Sequence, residues 1–454
     1  MMSELVEKGY KKTIFGNVPK HWKVKTFNDL LDENIIEGIQ DGNHGGLHPK
    51  AVDYVSTGIP FVMANNLKKG TIDLSSCNFI SKQQADSLRI GFSYEGDVLL
   101  SHKGTVGRIA IVPEVEEYIM LTPQVTYYRV GDKKKLSNFF LKFFFESNSF
   151  QLMLSRLSAQ STRDYIGITS QKKLPIVLPS IEEQKKIVSI LSSVEETIQR
   201  TEAIIEQTEQ LKKGLTQQLL TKGIGHTKFK KTEIGEIPLG WEVKELVELA
   251  NSNDRYAFTG GPFGSNLKSS DYTEDGVRII QLQNIKDGYF ANDYKIYTSE
   301  SKANELFSCN IYPGDIIMAK MAEPVARACI IPNYSDRYLM ASDGIRLSVD
   351  KTKYITEYVT YAINAPYFRQ QAVNNSTGTT RLRIGLSTLR RLKILVPSIE
   401  EQEKIADILI NVDRKIEKEQ SKVLKLKELK EGLMQFLLTG KVRVKVDEAE
   451  VTQV

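Results

Sequence analysis

The 454-residue sequence contains little cysteine and no long apolar run. Its three cysteines, Cys77, Cys309 and Cys329, are far apart and form no C-x-x-C pair, so they predict buried thiols in a reducing cytoplasm. The longest aromatic cluster, Phe139–Phe145, is much shorter than the ~18 apolar residues that a membrane-spanning helix needs. The N-terminal residues show no apolar core of a secretory signal. We therefore expect a cytoplasmic protein that does not enter a membrane.

A strong excess of one charge is also missing. Lys and Arg number 61 against 56 Asp and Glu, a formal net charge of +5. Residues 1–178 carry 22 basic and 18 acidic side chains, whereas residues 233–396 carry 19 of each. A protein that binds nucleic acid by itself is usually much more basic. Either nucleic acid is not the partner, or another subunit supplies much of the attraction for phosphate.

Catalytic motifs are absent or broken. The sequence has no G-x-x-x-x-G-K-[ST] phosphate loop and no Pro-Asp dipeptide of the kind that opens many nuclease sites. Phe258–Pro262 resembles an F-x-G-x-G cofactor loop but ends in proline, and Asn364–Tyr367 resembles N-P-P-Y but contains alanine. His44 and His48 lie in a Gly- and Pro-rich loop, so their spacing predicts no metal site. Catalysis by this chain is not expected.

The most informative feature that is present is an internal repeat. Pro179–Ile187 (PSIEEQKKI) returns as Pro397–Ile405 (PSIEEQEKI), and Lys11–Val24 returns as Lys230–Val243, at offsets of 218 and 219 residues. Two copies of one unit in a chain form a pseudo-dimer, which favours a two-part target. We predict globular domains at 1–178 and 223–396, helices at 179–222 and 397–440, and a C-terminal tail at 441–454.

Each helix is predicted from its first residues and its apolar spacing. Ser180 and Ser398 open S-x-x-E capping boxes, which are typical of helix starts. The 4-3 spacing that follows suits an antiparallel coiled coil that acts as a spacer. Gly214 and Gly432 occupy the same place in both copies, which predicts a close helix approach or a bend. The apolar positions are Ile187, Leu191, Val194, Ile198 and Ile205, then Ile405, Leu409, Val412, Ile416, Val423 and Leu426.

The globular halves are predicted to be mixed α/β (α+β) domains. β-rich runs bounded by turn residues predict strands, and two longer amphipathic runs predict helices. The predicted strands include Gly96–Leu100, Gly314–Met318, Ile59–Met63 and Val277–Leu282, and the predicted helices are Phe139–Leu157 and Ile355–Val373.

The two halves share this frame but differ in their loops. Gln40–Pro49 has little in common with Thr259–Lys268, which is the pattern expected of one scaffold that reads two targets. Some polar residues nevertheless recur, and arginine and asparagine can bind base edges bidentately. The alternative is that they are ordinary turn residues. The recurring residues are Arg108 and Arg327, Asn66 and Asn284, and Thr162-Arg163 and Thr380-Arg381.

These residues resemble the specificity subunit of type I restriction–modification enzymes over about residues 10–440. The matching pieces are the G-x-x-P-x-x-W entries at Gly16 and Gly235, the G-D-hydrophobic strands, and the P-S-x-E-E-Q helices. Further matches are Gly104–Arg108 and Gly261–Ser265, whereas Glu323–Arg327 lacks the glycines of its first-half counterpart.

The resemblance implies a non-catalytic reader of a bipartite, asymmetric site in double-stranded DNA. Residues ~25–170 would read one half and ~245–390 the other. The partners would be two adenine-N6 methyltransferase subunits and motor/nuclease subunits, which would carry S-adenosylmethionine, ATP and Mg²⁺; none is expected on this chain. A stand-alone methyltransferase or nuclease and a coiled-coil scaffold remain alternatives. The candidate DNA-binding residues are Asn43, His44, Lys103, Arg108 and Arg163, then Phe263, Asn266, Lys320, Arg327 and Arg381.

Overall fold

A computed structural model describes residues 9–159, 164–321 and 324–445 of the chain. The chain divides into two compact units that do not follow the sequence order. Unit 1 comprises residues 1–202 and 421–454, and unit 2 comprises residues 203–420. Each of the two long helices therefore contributes one part to each unit.

The first globular half consists of short strands with helices towards its C-terminal end. Its elements are β1 Tyr10–Thr13, β2 Gly16–Pro19, β3 Lys23–Thr26, α1 Phe27–Asp32, β4 Ile36–Asp41, β5 Tyr54–Val55, β6 Ile59–Val62, β7 Leu67–Lys68, β8 Thr71–Ile72, β9 Asn78–Ile80, α2 Lys82–Asp86, β10 Phe92–Ser93, β11 Val98–Ser101, β12 Ile109–Ile111, β13 Ile119–Leu121, β14 Val125–Val130, α3 Asn138–Glu146, α4 Asn148–Ser158, α5 Ile168–Lys172 and β15 Pro175–Leu178.

The rest of the chain begins with the first long helix and repeats the pattern. Its elements are α6 Ile181–Lys222, β16 Phe229–Thr232, β17 Gly235–Pro238, β18 Glu242–Glu245, β19 Phe258–Gly260, β20 Tyr272–Thr273, β21 Val277–Ile280, β22 Ile296–Thr298, α7 Glu300–Glu305, β23 Asn310–Ile311, β24 Ile316–Ala319, β25 Ala328–Ile330, β26 Tyr338–Met340, β27 Gly344–Leu347, α8 Thr356–Asn364, α9 Pro366–Asn374, α10 Leu386–Arg390, β28 Lys393–Val396 and α11 Ile399–Leu437.

Both units contain the same pair of larger sheets. The four-stranded sheet has the order β12-β11-β14-β4 in unit 1 and β25-β24-β27-β19 in unit 2. The five-stranded sheet has the order β10-β13-β6-β9-β5 in unit 1 and β23-β26-β21-β22-β20 in unit 2. Each five-stranded sheet contains one parallel pair, β6 with β13 or β21 with β26. The two units therefore share one strand order, although the loops that connect their strands differ in sequence.

The long helices pack antiparallel within each unit. In unit 1 the start of α6, at Ile187 and Leu191, shares a core with the end of α11, at Met434 and Leu437. In unit 2 the end of α6, at Leu219 and Leu220, shares a core with the start of α11, around Ile405 and Leu409. The residues from the helix starts belong to the 4-3 pattern, which keeps one helix face towards its partner, whereas those from the helix ends lie beyond it.

A buried tryptophan ties each globular body to a long helix. The indole Nε1 of Trp22 donates to Glu183 at 3.1 Å, and that of Trp241 donates to Glu401 at 2.9 Å. Glu183 also completes the capping box, since its carboxylate accepts from the Ser180 N–H at 3.3 Å and its own N–H donates to Ser180 Oγ at 3.2 Å. The entry motif and the helix-start motif therefore recur together because they contact each other.

Two local predictions differ from the structure. The predicted helix over Phe139–Leu157 is two helices, because Ser147 is extended and its hydroxyl accepts from Phe150 N–H to start α4. The run over Ile355–Val373 is likewise divided, because Pro366 at the first turn of α9 cannot continue α8. Of the two alternatives predicted at Gly214 and Gly432, a close helix approach is wrong, since a Cβ at either position would meet no described atom within 4 Å, and a bend stays a prediction.

Candidate nucleic-acid interface

In unit 1, three loops lie at one end of the strands of the four-stranded sheet, which we call the edge. The register pairs Thr126 with Asp41 and Ser101 with Val125, so the end of β4, the end of β11 and the start of β14 lie side by side. A fourth segment joins them, because Lys103 forms a bridge with Tyr165. Loops at one sheet edge can present several side chains to a single target.

Most residues predicted for unit 1 lie at this edge. His44 and Lys103 are exposed, while Asn43 is buried at 3% exposure. Arg108 follows the β11–β12 turn, where its backbone N–H donates to Ser101 Oγ at 2.8 Å. Arg163 lies outside the described residues.

A buried polar network supports the Lys103 loop. The Thr126 hydroxyl donates to Asp41 Oδ1 at 2.6 Å and lies 2.8 Å from His102 Nδ1, which then donates to it. His102 is only 1% exposed, and burial lowers its pKa despite the opposing effect of Asp41. The imidazole of His102 is therefore neutral near pH 7. Of the two consecutive residues His102 and Lys103, only Lys103 carries a positive charge.

The same edge in unit 2 carries different side chains. Gly260 pairs with Ile345 and Ala319 with Gly344, which brings together the loops after β19, after β24 and before β27. Phe263 is 82% exposed. Asn266 is exposed too, and its backbone N–H donates to the Phe263 carbonyl at 2.8 Å to close a turn.

Lys320 and a hairpin complete this edge in unit 2. The Lys320 carbonyl accepts from the Ile384 N–H at 2.9 Å. Thr377 and Arg383 close the hairpin through two backbone hydrogen bonds of 2.9 Å, and Arg381 lies exposed between them. The residues predicted for unit 2 therefore come together, although the Arg327 side chain is buried while its carbonyl accepts the Ala319 N–H at the end of β24 at 2.8 Å.

The recurring arginines have a structural explanation. Arg327 is 8% exposed, and its guanidinium donates to the Ile285 carbonyl at 2.6 Å and the Leu282 carbonyl at 2.9 Å. Arg108 donates to the Ala64 carbonyl at 3.2 Å, which is the equivalent turn of unit 1. These bonds satisfy turn carbonyls inside each unit. The turn-residue alternative therefore describes what both guanidinium groups do in this structure, and their contact with DNA stays a prediction.

The recurring asparagines support the same turns. Asn66 Oδ1 accepts from Met63 N–H at 2.8 Å, and Asn284 Oδ1 accepts from Gln281 N–H at 3.0 Å. Both side chains are buried, at 2% and 0% exposure. Their recurrence therefore reflects the shared frame.

Sequence reasoning missed Arg383 as a residue of this edge. Its side chain is 52% exposed and pairs with Asp343 at 2.9 Å. The signal was present in Arg381-Leu382-Arg383, where two arginines are separated by a single residue.

Within the described ranges, no cluster of His, Cys, Asp or Glu could hold a metal ion. All three cysteines are buried, and burial raises the pKa of the Cys77 thiol to about 11. In the part of the chain that the structure describes, no helix combines the length and apolarity needed to cross a membrane.

Comparison with known proteins decides the family. The profile described as "Type I restriction modification DNA specificity domain" matches residues 19–210 and again residues 238–427. The chain belongs to this family. The predicted resemblance is confirmed, and so is the fold of two tandem specificity domains with long helices.

Similar proteins agree with this assignment over nearly the whole chain. A putative type I restriction enzyme MjaX specificity subunit from Methanocaldococcus jannaschii is 28% identical over 97% of this chain and 98% of its own length. The solved type I S subunit from M. genitalium is 13% identical, with a TM-score of 0.54 over 92% of this chain and 96% of its own. A chain from a structure of type I restriction–modification complex assembly is 16% identical, with a TM-score of 0.56 over 94% and 99%.

Family membership also confirms the predicted kind of function. Specificity subunits supply DNA recognition to type I restriction–modification enzymes and are not the catalytic subunits. The prediction of a non-catalytic, DNA-binding specificity subunit therefore holds for this chain.

Proposed function

We propose that this specificity subunit reads a bipartite, asymmetric DNA sequence, one half with each unit, and positions partner subunits on it. The partners are two adenine-N6 methyltransferase subunits and motor/nuclease subunits. They bind S-adenosylmethionine, ATP and Mg²⁺, and the assembly acts on DNA in the cytoplasm.

One observation carries this proposal. Equivalent sheet edges present different side chains, with His44 and Lys103 in unit 1 and Phe263 and Lys320 in unit 2. A shared frame with different exposed loops is what two readers of unlike sequences require, because base edges are distinguished by the groups that face them.

The charge of the chain supports a contribution from partner subunits. The net charge of +5 is small for a protein of this size that neutralises several phosphates by itself. A methyltransferase that encloses DNA from the other side would supply the missing positive charge.

Reconstitution tests the proposal. We would co-express the chain with a type I methyltransferase subunit from the same genome, then map methylated adenines in the host genome by sequencing. The expected result is one gapped, asymmetric motif, and the purified chain alone should not methylate DNA. Methylation by the chain alone, with added S-adenosylmethionine, would favour the stand-alone enzyme instead.

A further inference from the structure

A glycine is clamped at the same point of both interface edges. A Cβ on Gly42 would lie 2.0 Å from the Thr122 carbonyl oxygen, and a Cβ on Gly261 would lie 1.8 Å from the Ala341 oxygen. The Gly42 and Gly261 N–H groups also donate to the start of β14 and β27, at 2.9 and 2.8 Å. No other residue fits either position. The loop after Gly42 in unit 1 and the loop after Gly261 in unit 2 therefore begin at equivalent backbone positions.

The next two residues differ in chemistry between the units. In unit 1 they are Asn43 and His44, and in unit 2 they are Pro262 and Phe263. The equivalence follows from the clamp, since the loop sequences themselves have little in common. A ring side chain therefore lies exposed two residues beyond each clamped glycine.

The unit 1 position has unused hydrogen-bonding capacity. Asn43 Nδ2 and Thr122 Oγ1 are both buried and have no hydrogen-bond partner among the described residues. The equivalent residues of unit 2 are Pro262 and Ala341, which carry no polar side-chain atoms. A buried amide donor without a partner is costly, so a group brought by a ligand or a water is expected to satisfy it.

The unit 2 position instead offers an exposed apolar ring, on a loop that leaves the sheet beside Lys320, since a Cβ on Gly260 would lie 4.0 Å from Lys320 Nζ. Phe263 is 82% exposed, although Leu267, four residues further along its loop, is buried. The Ala341–Asp343 segment that clamps Gly261 also binds its neighbours at this edge. Asp343 accepts the Lys320 N–H at 2.7 Å and pairs with Arg383. The ring thus lies on a loop whose first residue is anchored to the same segment that contacts Lys320 and Arg383.

We propose that the dipeptide after the clamped glycine is the base-contacting element of each unit, with a different mode in each. In unit 1, the Asn43 amide and the His44 ring hydrogen-bond to a base edge. In unit 2, the Phe263 ring packs on a base step as an apolar contact. This inference rests on the proposed function, because both modes require that each unit faces DNA.

The first test substitutes the ring in the methyltransferase-bound complex on a duplex of the mapped motif. Phe263→Ala should lower affinity about tenfold to a hundredfold, the range for loss of one base–aromatic contact, while Phe263→Trp should retain binding. The slope of affinity against salt should not change, because no phosphate contact is lost. Unchanged affinity, or a reduced salt slope, would overturn the proposal.

Tyr334→Ala is the matched control. Tyr334 is 63% exposed and precedes β26, at the opposite end of the strands from the edge, so its removal should leave affinity unchanged. An equal loss in both variants would contradict a specific role for Phe263.

The second test maps methylated sites for Asn43→Ala and for His44→Ala. The His44 variant is included because that side chain is exposed, so its removal leaves the core intact. Each should relax one position in the half-site opposite to the one that Phe263→Ala relaxes. Identical motifs in wild type and all three variants would overturn the inference alone. A wild-type complex without sequence preference would overturn the proposed function as well.

Discussion

The two units hold the same helix pair with different chemistry. In unit 1, Lys430 of α11 pairs with Glu195 of α6 at 2.7 Å, and Lys142 of α3 contacts the same carboxylate at 2.6 Å. In unit 2, Lys212 pairs with Asp413 at 2.6 Å, and the neutral Tyr361 hydroxyl donates to that carboxylate at 2.7 Å. The position of Lys142 is taken by Thr360 there.

Some contacts of the repeated unit are therefore present in both units, and others are present in only one. The cross-helix ion pair, the tryptophan–glutamate contact and the clamped glycine occur in both units. The second cation at the helix pair and the exposed residues at the sheet edge do not. A shared feature with the same surroundings in both units should therefore have equal effects when removed, whereas a shared feature whose surroundings differ, such as the cross-helix ion pair, should have unequal ones.

The largest expected effect comes from the shared tryptophans. Trp22→Ala and Trp241→Ala should each destabilise their own unit by about 3–5 kcal/mol, since a large buried ring leaves a cavity. Hydrogen exchange, followed separately in peptides of each unit, would measure this. Trp22→Phe, which keeps most of the ring but loses part of its volume and the bond to Glu183, is the control and should cost less, about 1–3 kcal/mol. A large difference in the loss of stability between Trp22→Ala and Trp241→Ala would show that the two tryptophans are not equivalent.

The cross-helix lysines should behave unequally. Lys430→Met should cost about 2–3 kcal/mol, because it leaves two poorly exposed carboxylates, Glu195 and Glu146, to share Lys142. Lys212 is 36% exposed, so Lys212→Met should cost only about 0.5–1 kcal/mol. Urea titration monitored by exchange in each unit would compare them, and equal losses would contradict the assigned difference.

The turn arginines should show a smaller contrast. Arg327→Ala should destabilise unit 2 by about 1–3 kcal/mol, because the buried Ile285 carbonyl and the half-buried Leu282 carbonyl lose their donor. The exposed Arg108 should cost less than about 1 kcal/mol in unit 1. If Arg108→Ala instead relaxes one position of the methylated motif without loss of stability, the predicted base contact is supported.

The smallest effect concerns pH and is confined to unit 1. Burial lowers the pKa of His102 below its ordinary 6.5, so the unfolded chain binds a proton more readily than the folded chain. The contribution of His102 to the free energy of unfolding is therefore fully present above pH 6.5. It decreases as the pH drops below 6.5, by at most about 1.4 kcal/mol per pH unit. His102→Gln should flatten this dependence between pH 5 and 7, and an unchanged slope would exclude His102 as its source.

The elements with local signals could be predicted from the sequence. The capping box at Ser180 placed the start of α6, and β11 and β24 follow Gly96 and Gly314 as expected. The division of the predicted helix at Ser147 was not predicted, because a serine within an apolar run can either continue a helix or cap a new one.

The site was only partly predictable for a different reason. Exposed loop residues such as His44 and Phe263 could be nominated from loop divergence. The role of Arg327 could not, because the carbonyls that it binds lie more than forty residues away in the chain. The equivalence of Asn43 with Pro262 depends on the backbone contacts of the preceding glycine, which no sequence similarity reveals.

The most direct test of separate reading by the two units is methylated-site mapping of a single variant at the unit 2 edge. We would combine Lys320→Ala with Arg381→Ala, since neither side chain belongs to a hydrophobic core of unit 2, and sequence the methylome of cells that express the reconstituted complex. We predict a motif that is relaxed in one half and unchanged in the other. Relaxation of both halves alike, or a motif identical to wild type, would contradict a division of DNA reading between the two units.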